Sequence, residues 1–234
     1  MIFDIIGDIH GHARALEGLL EMLGYREHGG VYRSSESGRM ALFVGDIVDR
    51  GPQIPRALQI VRNMVDEGEA RMVLGNHEYN LVAWYTPLSA ERRAQVEKEY
   101  GPIEGPLYVR PRTERHAKQC EQTILQFAGQ ENVLKDYLEW MQQQPLFLDL
   151  PDLRIVHAAW HPQAAATVKE YSPTEHRLTD QLLHASSFPG SPGYLAIEYL
   201  LKGVEVSLPP GMFYHDKEGA VRRRSRTAWW QRPE

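Results

Sequence analysis

The chain has 234 residues, 42% of them hydrophobic and 24% charged, a balance that supports a substantial core and excludes a disordered, collagenous or disulfide-stapled class. A formal net charge of −5 gives no general attraction to nucleic acid or an anionic membrane, and no apolar run approaches the ~20 residues that cross a bilayer. The single cysteine, Cys120, forms no internal disulfide and fits a reducing cytoplasm, and a strand opening straight after Met1 leaves no room for a cleaved leader.

In chain order, residues 2–6 read as a buried strand closed by the polar turn Gly7-Asp8-Ile9-His10-Gly11. Leu16, Leu19, Leu20 and Leu23 recur at helical spacing, with Gly24 as the stop. Residues 25–39 are rich in turn formers and predict a loop or weak hairpin. Residues 40–44 form a second strand, ended by Gly45-Asp46-Ile47-Val48-Asp49-Arg50-Gly51. Leu58, Val61, Met64 and Val65 then share one helical face that stops near Gly68. A third strand, 71–74, runs into Gly75-Asn76-His77-Glu78, which opens another helix. This repeated β-turn-α order predicts an α/β fold whose helical crossovers pair the strands in parallel.

From Asn76 to about Trp140 the reading is mostly helical. Pro87, Pro102, Pro106 and Pro111 interrupt it over 86–112, a stretch expected to be irregular. The whole insertion, about 79–142, reads as a lid or specificity element or as a surface excursion. Val133, Leu134, Tyr137, Leu138 and Met141 mark an amphipathic helix. Residues 146–150 and 153–157 pair as a hairpin through Pro151-Asp152, which leaves His157 at a strand end. Helix returns over 162–186 and 194–202, and 213–215 with 221–226 flank Asp216-Lys217-Glu218-Gly219 as a last hairpin. With neither repeat nor linker, the expectation is one domain over 1–234.

The polar turns carry the chemistry, because strand ends gather at one rim of a sheet. Asp8 and His10 stand at i and i+2 and share a face of an extended segment. Asp46 has two oxygens and can bridge two metals, while Asn76 offers a neutral oxygen and His157 a neutral nitrogen. Mixed N/O donors suit Mn, Fe, Zn, Co or Ni better than Mg or Ca. Two ions about 3.5–4 Å apart would acidify a shared water for in-line attack on phosphorus. Arg50 offers a planar fork to two phosphate oxygens. His77, oriented by Asp49, can protonate a leaving oxygen, which is worth roughly 10²–10⁴-fold and most for a poor leaving group such as a serine or threonine alkoxide.

The three turns, in this order, resemble the signature of the PPP-type metallophosphoesterases, the calcineurin-like group that includes protein serine/threonine phosphatases and symmetrical dinucleoside tetraphosphatases. Val156-His157-Ala158-Ala159-Trp160 is similar to the fourth motif, with Ala159 where glycine is usual. The resemblance covers residues 1–160. It implies a central β-sandwich of two mixed sheets flanked by helices, one metal on Asp8, His10 and Asp46, and a second on Asp46, Asn76 and His157. It likewise implies the Asp49–His77 pair and a phosphate contact by Arg50, with Asn76 and His77 also facing substrate. A downstream Gly-His that completes the second site in the family does not follow residue 157. Residues 194–230 are similar to a bacterial subgroup whose chains run on further, so the expectation is a chain that ends before that strand. Water, substrate or a later histidine (His161, His176, His184 or His215) would then complete the site, His215 being the best by position.

The reading is therefore a phosphomonoesterase with two divalent ions, most simply Mn²⁺, acting through a metal-bound hydroxide on phosphoserine or phosphothreonine of a protein. Hydrolysis of a dinucleoside polyphosphate or other small phosphate ester is the runner-up. A metal- or phosphate-binding module without turnover is the third. Neither nucleic acid nor membrane is expected as partner. Cys120 is expected to pack, His12 to start a helix, His28 and His116 to be solvated, and Arg222, Arg223, Arg224 and Arg226 to form a solvated hairpin face. Trp229 and Trp230 are expected to cover core or form an interface.

Overall fold

Apolar residues on both faces make β4 (Arg39–Phe43) the centre of the parallel sheet: Ala41, Leu42 and Phe43 are all buried. It lies between β1 (Ile2–Ile6) and β5 (Ala70–Met72), with Ile6 opposite Phe43 and Phe43 opposite Met72. The computed structural model describes residues 2–215, 219 and 221–231. One face of this sheet is covered by α1 (Ala13–Met22), which buries Ala13, Leu16 and Leu20. Beside it, α2 (Ile54–Asp66) buries Ile54, Ala57, Leu58, Ile60, Val61 and Met64. Between α1 and β4 the expected weak hairpin forms as β2 (Tyr25–His28) and β3 (Val31–Ser34).

The other face packs on the antiparallel hairpin of β6 (Phe147–Asp149) and β7 (Arg154–Val156), through a cluster of Leu42, Val73 and Ile155 joined by Phe3, Val44, Leu148 and Leu153. Sheet therefore lies on sheet with helices outside, an α/β architecture. All three parallel strands point their C-terminal ends at the same rim. There β5 passes through Gly75 into α3 (Asn76–Tyr85), as the third turn predicts.

The insertion differs from its expectation. The stretch 86–112 is not wholly irregular, because α4 (Ala90–Tyr100) lies inside it, capped by Ser89 and burying no residue. An apolar stripe was never there to read; a Ser89 cap and an Arg93–Glu97 ion pair support the helix instead. Arg93 also donates to the carbonyls of Gly105 and Ile103, tying the Pro/Gly return to the helix. Then follow α5 (Glu114–Gln126) and α6 (Glu131–Gln142).

After β7 come α7 (Pro162–Tyr171), α8 (Asp180–Ala185) and α9 (Pro192–Lys202), so the helical reading of 162–186 breaks into two across 172–179. The last hairpin is only half as expected. β9 (Tyr214–His215) pairs with β10 (Val221–Arg222), but β11 (Arg224–Arg226) leaves it to pair with β8 (Glu205–Ser207). The turn residues 216–218 lie outside the described residues. Among the described residues, no helix is long and apolar enough to cross a membrane.

Candidate metal centre

The turns after β1, β4 and β5 are locked to one another by their backbones. The amides of Ile9 and His10 both donate to the Asp46 carbonyl, at 3.0 and 2.9 Å, and Gly51 N–H donates to the His10 carbonyl at 2.9 Å. Such contact requires glycine. A Cβ on Gly45 would fall 2.2 Å from the Gly75 nitrogen, and one on Gly75 would fall 2.2 Å from Asp46 Oδ1. The side chains needed at the rim then sit on left-handed backbone: His10 at φ 44°, Asp46 at 54°, Asp49 at 69° and Arg50 at 68°. Non-glycine residues seldom adopt this region, and they hold it here because neighbouring turns over-determine the path.

Glu78, which sequence reasoning left without a role, holds two of those turns together. Its carboxylate is fully buried and accepts from the amides of Asp46 (2.8 Å), Ile47 (2.7 Å), Val48 (3.2 Å) and Gly75 (3.0 Å). Burial pushes its pKa up, the nearby Asp46 carboxylate adds to the rise, and the backbone donors oppose both.

The ligand-type side chains converge. His10 Nε2 lies 3.8 Å from Asp8 Oδ2 and 3.7 Å from Asp46 Oδ2, and His157 Nε2 lies 3.6 Å from Asp46 Oδ1. Two metal-capable groups result, one of His10, Asp46 and His77, the other of Asp8, Asp46 and His157. Asp46 belongs to both. Asn76 Oδ1 stands 3.2 Å from His157 Nε2. The grouping differs in detail from the expected sets, since Asp8 falls with His157 and His77 with His10.

The tautomers favour a cation. His10 Nδ1 lies 2.9 Å from the Val48 carbonyl and His157 Nδ1 lies 2.6 Å from the Val44 carbonyl. A carbonyl only accepts, so each Nδ1 carries the hydrogen and each Nε2 presents a lone pair to the rim. His10 Nε2 is buried with no hydrogen-bond partner. An orphaned lone pair facing carboxylates is the arrangement a metal ion satisfies, so the donor set fits the group the motifs imply. Burial, above all, holds the His10 pKa below the usual imidazole value and keeps it neutral for that task.

Beside this cluster stands the expected Asp49–His77 pair. His77 Nδ1 is 2.6 Å from Asp49 Oδ2, and Asp49 is itself held by Thr123, whose hydroxyl donates to Oδ1 and accepts the Asp49 amide. Burial alone would lower the His77 pKa, but the bond to Asp49 and the charges of Asp46, Asp49 and Glu78 outweigh it and leave the pKa raised. The Arg50 guanidinium reaches to 3.4 Å from His77 Nε2 and is otherwise exposed to the cleft.

Of the remaining candidates, His215 is not part of the centre. It is exposed on β9 against Phe213, and no metal-capable group among the described residues includes it. His161 caps α7 with its ring tilted against Tyr199, His176 stacks on Phe147, and His184 sits in α8, and none of them belongs to a metal-capable group among the described residues. Their distance along the chain said nothing about which face they take. Cys120 packs as expected, and His12 stands at the start of α1 without a capping bond from its side chain.

The centre opens into a cleft of about 840 Å³ with Arg50, Asn76 and His77 on its floor and Trp229 and Trp230 on its wall. The Trp229 indole N–H donates to the Ala158 carbonyl at 3.0 Å, beside His157. The two tryptophans are exposed on the cleft rather than laid over core, and Arg226 lines the same cleft.

Fold and site together define a candidate metal centre of carboxylates and imidazoles at the rim of a parallel sheet. The family described as calcineurin-like phosphoesterase matches residues 1–188, and the chain belongs to it. Among known proteins it is similar to the bis(5'-nucleosyl)-tetraphosphatase PrpE [asymmetrical] of Oceanobacillus iheyensis, at 30% identity over 68% of this chain and 55% of that one. The protein of the same name from Halalkalibacterium halodurans is 35% identical over 46% of this chain and 52% of its own length. The chain thus spans about half the length of these relatives. Among solved structures, a metallophosphoesterase from Sphaerobacter thermophilus aligns over 73% of this chain and 55% of that one, at 17% identity and a TM-score of 0.37. A cold-active protein-tyrosine phosphatase of a Shewanella species aligns over 82% and 57%, at 15% identity and a TM-score of 0.45.

Proposed function

We propose that the site hydrolyses a dinucleoside polyphosphate, and that protein phosphoserine or phosphothreonine is not its substrate. The observation that carries this is the pair of tryptophans beside the centre: Trp230 is 67% exposed and Trp229 42%, with their rings nearly perpendicular. An exposed indole face next to a phosphate site offers a nucleobase a stacking platform worth roughly 1–3 kcal/mol per base. The names of the relatives agree with this reading, though they are called asymmetrical where the sequence resemblance included symmetrical enzymes.

Asp8, His10, Asp46, Asn76 and His157 would hold the metal ions in this reading, and the mixed nitrogen and oxygen donors favour manganese, iron, zinc or cobalt. Ions held there would polarise the phosphate and lower the pKa of a water. Arg50 fixes two phosphate oxygens with its fork, and Asn76 and His77 face the same group. Water adds to phosphorus and gives up a proton to solvent, the bond to the leaving oxygen breaks, and His77 Nε2 supplies the proton that oxygen takes. Asp49 keeps the ring oriented and charged, and Thr123 keeps Asp49 in place.

The test is kcat/KM with manganese supplied on three substrates: diadenosine tetraphosphate, a phosphoserine peptide and p-nitrophenyl phosphate. The dinucleotide is expected to exceed the peptide at least tenfold. Preference for the peptide would restore the phosphoprotein reading. One tightly bound ion with no turnover of any substrate would leave only a binding module.

A further inference from the structure

Adjoining the cleft is a second cavity of about 660 Å³, walled by α3, α5, α9 and the ribbon strands, which shares Asn76, Arg115, Lys202 and Arg226 with the first. Its innermost cation is Arg110. The backbone fixes this residue through a 3.0 Å bond from its amide to the Ala83 carbonyl, just after the buried Val109. Its guanidinium donates only to neutral oxygens, Oδ1 of Asn80 and Oε1 of Gln119, so it is oriented without being neutralised. Burial lowers its pKa, the mark of a cation taken partly out of water.

The Asp49 and Glu198 carboxylates favour the Arg110 charge from a distance, but neither is paired with it. Among the described residues, Arg110, Arg115 and Arg226 form no ion pair. The cavity has two carboxylates, and both face other cations: Glu198 is taken by Lys202, and Glu205 lies 3.9 Å from Arg224. His116 adds no charge at neutral pH, since burial holds its pKa low. Arg110, Arg115 and Arg226 thus face one space without an ion pair among the described residues, and the partly buried Arg110 is the cation that an anion would complete.

We propose that the Arg110 cavity is a polyphosphate subsite, which takes the phosphates beyond the one attacked at the metal centre. This rests on the reading of that centre as a phosphoester hydrolase. Guanidinium forks match pairs of phosphate oxygens, and several successive forks match successive phosphates. The cavity is continuous with the cleft floor at Asn76, so a chain of phosphates can run from one to the other. A bridge of four phosphates attacked at one end leaves three on the far side, whereas a phosphomonoester ends before it reaches Arg110. The subsite therefore selects by the length of the phosphate chain.

The probes are inorganic tripolyphosphate and inorganic phosphate, titrated calorimetrically into the metal-loaded protein with free metal in excess. Tripolyphosphate is expected to bind at least tenfold more tightly than phosphate. Arg110→Gln should shrink that ratio five- to tenfold. Arg115→Gln, on an exposed position of α5, should shrink it in the same direction and guards against misfolding of the first variant. A wild-type ratio near one, or an unchanged ratio in both variants, overturns the subsite. Turnover of p-nitrophenyl phosphate without turnover of the dinucleotide would defeat the proposed function alone, because the binding ratio is read without catalysis.

Discussion

The rim of the parallel sheet and the C-terminal ribbon of β8 to β11 are built on opposite plans. At the rim, His10, Asp46, Asp49, His77 and Glu78 are all buried, and each turn is bonded to another turn. In the ribbon the strands have two or three residues, and Val206, Met212, Phe213 and Val221 are about half exposed. Reacting atoms need positions held to a fraction of an ångström, and only redundant backbone bonding supplies that. Recognition of a flexible polyphosphate tolerates a thinner wall. The contrast implies that chemistry and substrate selection separate on mutation.

The largest expected effect breaks the rim. Glu78→Ala leaves the amides of Asp46, Ile47, Val48 and Gly75 buried without an acceptor. Orphaned buried donors cost about 1–3 kcal/mol each, and full relaxation is prevented by the surrounding turns. A loss of at least ~3 kcal/mol corresponds to roughly 6–12 °C in Tm for a chain of this size. Thermal melting with metal analysis checks this, and an unchanged Tm would mean that the turns hold themselves without the carboxylate.

Next in size is a test of the acid. His77→Ala should lower kcat by roughly 10²–10⁴-fold on an alkyl phosphate such as β-glycerophosphate, whose alkoxide needs a proton to leave. On p-nitrophenyl phosphate, with its good leaving group, the loss should be tenfold or less. Equal losses on both would show that the side chain positions rather than protonates. Thr123→Val should follow the same pattern more weakly, since it acts through Asp49.

These residues differ in how well the sequence announced them. Asp8, His10, Asp46, Asn76, His77 and His157 were readable because buried parallel strands are apolar runs, and their glycine-flanked polar ends can lie nowhere but at the rim. Glu78 and Thr123 act across 32 and 74 residues of chain, on backbone amides that no local pattern marks. The burial of Glu78 could have been inferred from an acid in the first turn of a helix that continues as the apolar run Leu81, Val82, Ala83 and Trp84. Nothing near Thr123 gave such a sign. α4 escaped notice because a helix that buries no side chain has no hydrophobic period. β8 was missed and β11 assigned the wrong partner because three-residue strands rich in Ser, Glu and Arg carry no alternation. Arg110 was passed over within the irregular stretch for the same reason, since its role comes from a cavity closed by elements distant in sequence.

The smallest expected effect lies at the opposite end of the sheet and asks how far the rigidity of the rim extends. Asp4 accepts from Arg39 Nε at 2.8 Å and Nη2 at 3.0 Å and from the Tyr25 hydroxyl at 2.9 Å, joining β1, β2 and β4. The Arg39 bond is the main reason the Asp4 pKa lies below the ordinary value, with burial opposing it. A folded pKa below the unfolded one means stability that is present above the unfolded value, about 3.9, and lost as pH falls through the folded one. Asp4→Asn should therefore cost about 1–2 kcal/mol at pH 7 and flatten the acid limb of the stability curve below pH 4. Activity at pH 7 should stay as it was, because the turns at the rim are bonded to one another and not to this corner. A wild-type acid limb in the variant would remove Asp4 from the titration, and a fall in activity matching the fall in stability would mean that the sheet transmits strain from one end to the other.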